Sequence, residues 1–310
     1  SLFSPDPFQV ASDLNGATSI ERLQFSFQLK HTFGWGSLTA TTSRQDWDLD
    51  PSSTDLDLSP LSLGFSQVVQ SEKLWTQEFR VESAPGTAST SWRAGLFFSD
   101  LDNNGNALRQ FVVPPSAFVP PGFVQTERSL YAIGQKSLAG YANLDQPLTT
   151  SNTLKFGLRL EHASSEIDRS KAASNNFGFP SPQDPRLAAS QDHDLVSASA
   201  GIEHTVSNSL TLHAKISLAH KPAGFSGFTS NPALAHFGGE RQWANEVGVT
   251  FGPPQGRFGG SLLGFWTSIH DYQFERTVPN STDYVVVNAP EVTSRGLEAK
   301  FMWSPAERVW

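Results

Sequence analysis

What this 310-residue sequence lacks already excludes several classes of protein. It contains no cysteine, which is compatible with an oxidising compartment such as the periplasmic side of a Gram-negative envelope. It has no run of 18 apolar residues, so no helix is expected to cross a membrane, but a transmembrane β-barrel never needs such a run. Charged residues make up 17%, and 22 basic against 30 acidic residues give 22 − 30 = −8. Since no basic footprint exists, we expect no nucleic-acid partner.

The clearest pattern that is present is a strict alternation of apolar and polar residues over positions 194–218. Apolar side chains recur at every second position on both sides of a polar turn at residues 205–208. A period of two puts one set of side chains on each face of a strand, and the short turn predicts an antiparallel hairpin. Each strand matches the roughly 9–11 residues that a tilted strand needs to cross a bilayer. We therefore expect the apolar face of this hairpin to contact lipid.

The same unit repeats along the chain and predicts about eleven strands, with no helix of ten or more residues. Short turns alternate with long polar stretches, which are predicted as loops at residues 44–71, 100–128, 164–192 and 221–241. A soluble β-sandwich has no reason to place every long loop at one end, whereas an outer-membrane barrel does. Aromatic residues gather near the strand ends, as the interfacial girdles of such a barrel require. This set is Trp35, Trp75, Trp92, Tyr131, Trp243, Phe251, Phe258, Tyr272 and Trp303.

Five segments carry a resemblance to a known family. They are residues 76–81 (TQEFRV), 156–161 (FGLRLE), 218–225 (LAHKPAGF), 240–249 (ERQWANEVGV) and 288–298 (NAPEVTSRGLE). In this order they resemble the barrel strands of TonB-dependent outer-membrane receptors, over nearly the whole chain from Trp75 onward. The sequence departs from the family pattern at Ala223 and Pro290, where glycine is usual.

The resemblance implies an all-β fold, an antiparallel up-and-down transmembrane β-barrel of about 22 strands with a plugged lumen. About half of those strands fit into residues 1–310, which we interpret as one incomplete barrel segment without a plug domain. Residues 1–7 show no basic region followed by an apolar core, so no signal peptide is expected in this chain. The expected location is the Gram-negative outer membrane, and the expected partners are its lipid and, through the plug, the TonB complex. The cargo implied is an extracellular small molecule, first of all a metal chelate such as a ferric siderophore.

Two sets of residues are candidates for function. The charges expected on the polar, lumen-facing side of the strands are Glu78, Arg80, Arg159, Glu161, Glu246, Arg295 and Glu298. The residues expected to contact a ligand, chosen for reach and chemistry, are Phe177, Phe179, Arg186, Phe225, Phe228, His236, Arg241 and Trp243. For the first set a solvated lumen wall is the alternative, and for Phe225 and Phe228 it is the anchoring of a loop.

The sequence offers no catalytic or metal site, and we predict neither enzyme activity nor a cofactor. Asp192, His193 and Asp194 are adjacent strand residues, so their side chains alternate between faces and cannot converge without a bulge. His220, His236 and His270 lack metal-ligand spacing. No phosphate-binding loop, nucleophile elbow or HExxH motif occurs. The alternative to a receptor is a soluble β-rich carbohydrate-binding or structural protein.

Overall fold

Strands dominate the chain wherever the structure describes it. The structure is a computed structural model that describes residues 12–84, 86, 90–181, 183–229, 231–252, 256–279 and 283–304. The elements in chain order are β1 (Ala17–Phe33), β2 (Gly36–Asp55), β3 (Gly64–Ser83), β4 (Ser91–Val112), β5 (Val124–Pro147), β6 (Asn152–Asn175), β7 (Gln183–Ser207), β8 (Leu210–Lys221), β9 (Gly224–Phe225), α1 (Pro232–Ala235), β10 (His236–Phe237), β11 (Glu240–Phe251), β12 (Phe258–Thr277) and β13 (Tyr284–Trp303). None of the helical segments in this described part has the length and apolar character of a membrane span.

Eleven of these strands form one sheet, in the order β1-β2-β3-β4-β5-β6-β7-β8-β11-β12-β13. Every neighbouring pair is antiparallel. The step from β8 to β11 bypasses β9, α1 and β10, and β9 pairs with β10 in a separate ladder. The up-and-down, all-β architecture predicted from the alternation is therefore confirmed.

The two faces of the sheet differ sharply in exposure. In β5, Leu138 is 58% exposed, whereas the adjacent Ala139 is 1% exposed. Across β4, the hydroxyl of Tyr141 in β5 donates a hydrogen bond to Glu78 Oε1 in β3 over 2.6 Å. Gly95 lies between them, and a Cβ there would approach the Tyr141 ring to 2.6 Å. Because side chains can meet across an intervening strand only on a concave surface, the Glu78 face is the inner face of a barrel wall, and the Leu138 face is the outer one.

Two belts of aromatic residues border the apolar band of the outer face. At the end with short turns, Trp35 stacks on Trp92 with a centroid distance of 6.2 Å. At the other end, Trp75 meets Phe98 edge-on at 5.3 Å. This is the girdle pattern predicted from the sequence, and it places the bilayer between the belts. Tyr131 was expected in a girdle, but it is 6% exposed and lies on the inner face, beyond the membrane.

The strands extend far beyond the membrane, which corrects the predicted loops. Of the polar stretches expected as loops, residues 56–63, 113–123 and 176–181 lie between long strands, and the fourth is retained as the connection from β8 to β11, which contains only the short elements β9, α1 and β10. The alternation of short and long connections is retained, but the long ones are mostly paired strand. The outer face of these outer hairpins contacts water, and their covered inner face includes polar residues such as Ser165 and Arg169. Their sequence therefore carries no apolar alternation, although the backbone hydrogen bonds continue. The predicted turn at residues 205–208 is also shorter, because β7 continues to Ser207 and β8 starts at Leu210.

Candidate functional site

The register places most of the predicted lumen charges on the inner face. Glu78 and Arg80 flank the outward Phe79, and Arg159 and Glu161 flank the outward Leu160. Arg159 Nε donates to Glu161 Oε2 over 2.7 Å. Glu246 lies opposite Lys215, and Glu298 opposite Leu263, on the same inner face. These charges form a polar inner wall in which acids and bases lie close together.

Arg295 is on the wrong side of the sheet for this role. It shares its face with Leu297 and Phe301, and its cross-strand partner in β12 is Trp266. Glu298 is an odd number of positions away, so the two side chains must point to opposite faces. The expectation that Arg295 faces the lumen was therefore wrong: its side chain lies beside the outer aromatic belt.

Three of the predicted ligand contacts also lie on the outer face. Arg241 and Trp243 belong to β11, where Trp243 faces the same way as Val247 and Val249. Arg186 in β7 donates from Nε to Asp168 Oδ1 over 2.7 Å, and this contact lowers the pKa of the exposed Asp168 carboxyl. Because strand residues alternate between faces, these side chains point away from the enclosed space. The predictions treated residues 241, 243 and 186 as loop positions, and strand pairing overrides that.

Phe177 and Phe179 lie in the connection between β6 and β7 and form a cluster with Phe123. The ring centroids of Phe123 and Phe177 are 6.0 Å apart, and those of Phe177 and Phe179 are 5.7 Å apart. Phe179 is half exposed. The cluster lies at the tips of the long hairpins, beyond the outer aromatic belt.

The remaining predicted contacts belong to a segment that folds into the concave side. Residues 222–229 and 231–239, called here the inward loop, connect β8 to β11. Phe225 is 9% exposed and meets His236 edge-on at 5.9 Å. Phe228 meets the ring of Tyr131 in β5 at 5.0 Å. The sequence could not reveal this contact, because the two segments are far apart along the chain.

The inward loop is held by side chains of β12 and β13. Gln273 Nε2 donates to the carbonyls of Pro222 and Gly238 over 2.8 and 3.0 Å. Asn288 accepts from Gly238 N over 2.7 Å and donates to Gly238 O over 3.0 Å. Ser226 Oγ accepts from Val286 N over 2.9 Å. Because these bonds satisfy the backbone of the loop, it has a defined conformation inside the barrel wall.

Glycine is required where the inward loop turns. A Cβ on Gly224 would lie 2.5 Å from the ring of Phe237, and one on Gly227 would lie 3.0 Å from the ring of Tyr131. This spacing explains why the segment retains Gly224 even though Ala223 replaces the preceding glycine. At Ala223 the small methyl group is 3% exposed and is accommodated.

A cavity of about 210 Å³ lies beneath the start of the inward loop. Ala223 forms its roof, and Leu101, Ser137, Glu161 and His193 are among its walls. Glu161 accepts a hydrogen bond from Ser137. His193 Nε2 is buried and has no partner within the described ranges. The cavity thus combines an acid, a hydroxyl and a free imidazole nitrogen on the inner wall.

A second group of charges, missed by the sequence analysis, lies higher on the inner face. Lys171 Nζ in β6 is 2.9 Å from Glu127 Oε2 and 2.9 Å from Asp283 Oδ1. Thr229 of the inward loop also donates to Asp283, over 3.3 Å. Arg169, two positions before Lys171 on the same face, is 1% exposed. Residues 164–192 were predicted as loop, and no period-two contrast marks this part of β6, because the inner-face residues Arg169 and Lys171 are charged.

One cluster has the composition of a cation site. Asp13, Asp55 and Asp57 offer carboxylate oxygens that lie within 4.8 Å of one another. Asp55 accepts from Ser12 Oγ over 2.7 Å and from the backbone of residues 57 and 58. Asp57 accepts from Gly64 N over 2.9 Å. These hydrogen bonds account for the positions of Asp55 and Asp57, and we assign no metal to them.

The chain matches the model of one protein family over almost its whole length. The family model described as "TonB dependent receptor-like, beta-barrel" matches residues 2–309. The chain belongs to the TonB-dependent receptor β-barrel family. Its location is accordingly the outer membrane of a Gram-negative bacterium, as predicted. The family consists of transport receptors and not of enzymes, and membership rules out the alternative of a soluble carbohydrate-binding or structural protein.

Solved TonB-dependent receptors share this barrel wall. The ferric yersiniabactin uptake receptor FyuA from Yersinia pestis is 17% identical with a TM-score of 0.73, over 93% of this chain and 41% of its own. The siderophore receptor PiuA from Acinetobacter baumannii is 13% identical with a TM-score of 0.71, over 94% of this chain and 45% of its own. The copper transporter OprC is 13% identical with a TM-score of 0.65, over 96% of this chain and 46% of its own. This chain therefore spans less than half the length of these receptors, and the similarity shows the fold alone. No protein of curated function matches the chain significantly.

Proposed function

We propose that this chain is the ligand-facing wall of an outer-membrane receptor that imports a scarce solute, in the first place a ferric siderophore. The observation that carries the proposal is the inward loop. It occupies the concave side between the outer aromatic belt and the hairpin tips, where an extracellular solute enters. Phe228 and Tyr131 are in contact there, and Lys171 and Asp283 are paired next to them. An apolar wall with a few fixed charges is the usual composition of a small-molecule site.

We assign roles to two parts of the extracellular mouth, which consists of the Phe123, Phe177 and Phe179 cluster and the inward loop. The Phe123, Phe177 and Phe179 cluster makes the first contact with an aromatic or apolar part of the solute. Phe228 and His236 of the inward loop then make the second contact with the solute. Transport then requires energy from the inner membrane, which we assign to the TonB complex acting through a plug in the lumen. The charged inner wall around Arg159 and Glu161 would face that plug.

Among cargoes, ferric siderophores rank first and other metal chelates second. FyuA and PiuA are named for siderophores, and OprC is named for copper. Since cargo specificity resides in loops and not in the fold, identities below 20% do not decide between them. The chemistry of the mouth favours a chelate with aromatic and anionic groups, because the described contacts are aromatic rings and buried cations.

Uptake measurements in a deletion strain test this function. The strain lacking the full receptor gene is complemented with the wild-type gene and supplied with ⁵⁵Fe-labelled siderophores, labelled copper or labelled cobalamin. We expect receptor-dependent uptake of at least one ferric siderophore, abolished when TonB is also deleted. Uptake of copper or cobalamin alone would identify that solute as the cargo in place of a siderophore. Receptor-dependent uptake that persists without TonB would contradict the proposed mechanism.

A matched pair of variants tests whether the solute binds at the inward loop. Phe228→Ala removes the ring that contacts Tyr131, while Phe79→Ala removes an outward ring of β3 that faces lipid. We expect Phe228→Ala to raise the half-saturating siderophore concentration about tenfold, since a buried aromatic contact contributes more than 1 kcal/mol to binding. Phe79→Ala should leave it unchanged at equal receptor abundance. Equal effects of both variants would contradict the placement of the site.

A further inference from the structure

Arg169 is a buried charge on the inner face of β6. Its side chain in β6 lies between Tyr131 of β5 and Leu187 of β7 and is 1% exposed. None of its three guanidinium nitrogens has a hydrogen-bond partner in the described part of the protein. Burial lowers the pKa of this guanidinium, and the negative charges of Asp184 and Asp283 act against that effect from a distance.

Two nearby acids, Asp283 and Glu127, are engaged by other groups, and Asp184 forms no hydrogen bond with Arg169. Asp283 receives hydrogen bonds from Lys171 and Thr229, and Glu127 lies against Lys171. Lys171 therefore holds two carboxylates, and Arg169 contacts neither of them through a hydrogen bond. A buried cation without a hydrogen-bonded counter-charge is strongly destabilising, so its retention needs a reason other than stability.

The geometry of a guanidinium identifies the chemistry that fits it. Arginine presents five N–H donors in a planar fork, which matches the two oxygens of a carboxylate or phosphate. All of these donors are free on Arg169. A neutral ligand would leave the positive charge uncompensated, whereas an oxyanion would supply both the acceptors and the charge.

The inward loop closes over this residue. β9 of the loop lies against β6, and Gly227 packs on the ring of Tyr131, the cross-strand neighbour of Arg169. Thr229 is fully buried at 0% exposure. A solute approaching from the extracellular side therefore reaches Arg169 only after the loop moves aside.

We propose that Arg169 is the anchoring residue for an oxyanion of the imported solute, reached by displacement of the inward loop. The identity of the solute that carries the oxyanion rests on the proposed function, but oxyanion binding at Arg169 does not require transport. The site differs from the aromatic contacts described above because it specifies charge and a bidentate geometry.

Calorimetric titration of the detergent-purified receptor with citrate, and separately with inorganic phosphate, tests the anchor. We expect at least one of the two anions to bind. Arg169→Gln should weaken that binding by about tenfold to a hundredfold, the usual effect of losing hydrogen bonds to a charged group. Arg169→Lys should retain part of the affinity, since it keeps the charge but not the fork. Arg186→Gln, which removes the exposed arginine paired with Asp168, should bind like the wild type.

Two results would overturn the proposal. The first is a wild-type receptor that binds neither anion, and the second is Arg169→Gln with wild-type affinity. The unfolding temperature of the anion-free protein gives an independent criterion. If the role of Arg169 is to bind an anion, Arg169→Gln removes a buried charge without a hydrogen-bonded counter-charge and raises the unfolding temperature of the anion-free protein. If Arg169 is a structural partner of Asp283, the same variant lowers it, which also overturns the proposal. Uptake does not enter these measurements, so a failed transport assay leaves them interpretable.

The absence of native cysteine allows a direct test of loop displacement. In Thr229→Cys the new thiol is buried within the inward loop, and in Phe118→Cys it replaces a side chain that is 95% exposed. We expect the anion that binds to accelerate maleimide labelling of Thr229→Cys severalfold and to leave Phe118→Cys unchanged. Saturation with that anion without any acceleration at residue 229 would contradict the displacement.

Discussion

Leu158 and Arg159 are consecutive in β6, yet their side chains meet different surroundings. Leu158 is 48% exposed on the outer face between the aromatic belts. Arg159 points inward, donates to Glu161 and lies 5.3 Å from the ring of Phe97. At this scale the sequence is a reliable guide, because the period of two is a property of the strand itself. The same period places Arg295 on the outer face, two positions from the outward Leu297.

Introducing a charge on the outer face should lower the free energy of unfolding, whereas removing a charge from the inner face should change it little. Leu158→Arg and Leu212→Arg place a guanidinium in hydrocarbon and should each lower the free energy of unfolding by about 2–4 kcal/mol near the bilayer midplane. Denaturant titration of the full receptor in lipid vesicles measures this effect.

The matched controls are Lys155→Ala and Lys215→Ala on the inner face. Lys155 Nζ lies 3.4 Å from both Asp145 and Glu203, but all three side chains are more than a third exposed. Exposed ion pairs of this kind contribute about 1 kcal/mol or less, so both variants should stay close to the wild type. Equal tolerance of substitutions on the two faces would refute the assignment of the outer face to lipid.

At the scale of elements, the hairpins are longer and more regular than their composition indicates. β6 runs to Asn175, about 40 Å beyond the outer aromatic belt at the usual rise per residue. There the outer face contacts water and the covered inner face carries Arg169 and Lys171, so neither face is mainly apolar. Sequence patterns detect a strand through the contrast between an apolar and a polar face, so they miss a strand that is polar on both faces. This is why Arg169 and Lys171 were assigned to a loop.

The inward loop depends on Asn288 of β13. Asn288→Ala removes hydrogen bonds to Gly238 N, Gly238 O and Asp271 O, and Gly238 N then loses its acceptor while Gln273 still donates to Gly238 O. Each unsatisfied buried group costs about 1–3 kcal/mol, so the loop should open more often. We expect faster amide hydrogen exchange in residues 222–229 and unchanged exchange in β8 and β11.

Asn245→Ala is the control for this measurement. Asn245 makes a single long hydrogen bond of 3.5 Å to Trp266 O, on the outer face of the same sheet. Its removal should leave exchange in residues 222–229 at the wild-type rate. Unchanged exchange in Asn288→Ala as well would mean that Gln273 and Ser226 suffice to hold the loop.

At the scale of the whole molecule, the sheet is a barrel wall with two lateral edges, β1 and β13. Solved relatives contain more than twice the length of this chain, of which the aligned part covers 41% of FyuA and 45% of PiuA. The inner wall is polar and the outer wall is apolar between the belts. This is the reverse of a soluble protein, in which the apolar face is enclosed.

The outer wall makes the protein dependent on detergent. We expect the purified protein to remain monodisperse in detergent micelles and to aggregate when the detergent is removed, because large apolar patches are then exposed to water. Size-exclusion chromatography with light scattering measures this. A monodisperse protein without detergent would contradict the membrane assignment.

The local pattern of residues predicts the membrane-crossing strands, their two faces, the alternation of short and long connections and the family, because each depends on residues that are close together in the chain. Which residues meet inside the barrel wall depends on the tertiary structure. Phe228 contacts Tyr131, Lys171 pairs with Glu127 and Asp283, and buried Arg169 has no hydrogen-bond partner among the described residues. These contacts depend on the curvature of the sheet and the path of the inward loop, and both arise from packing between segments that no local pattern connects.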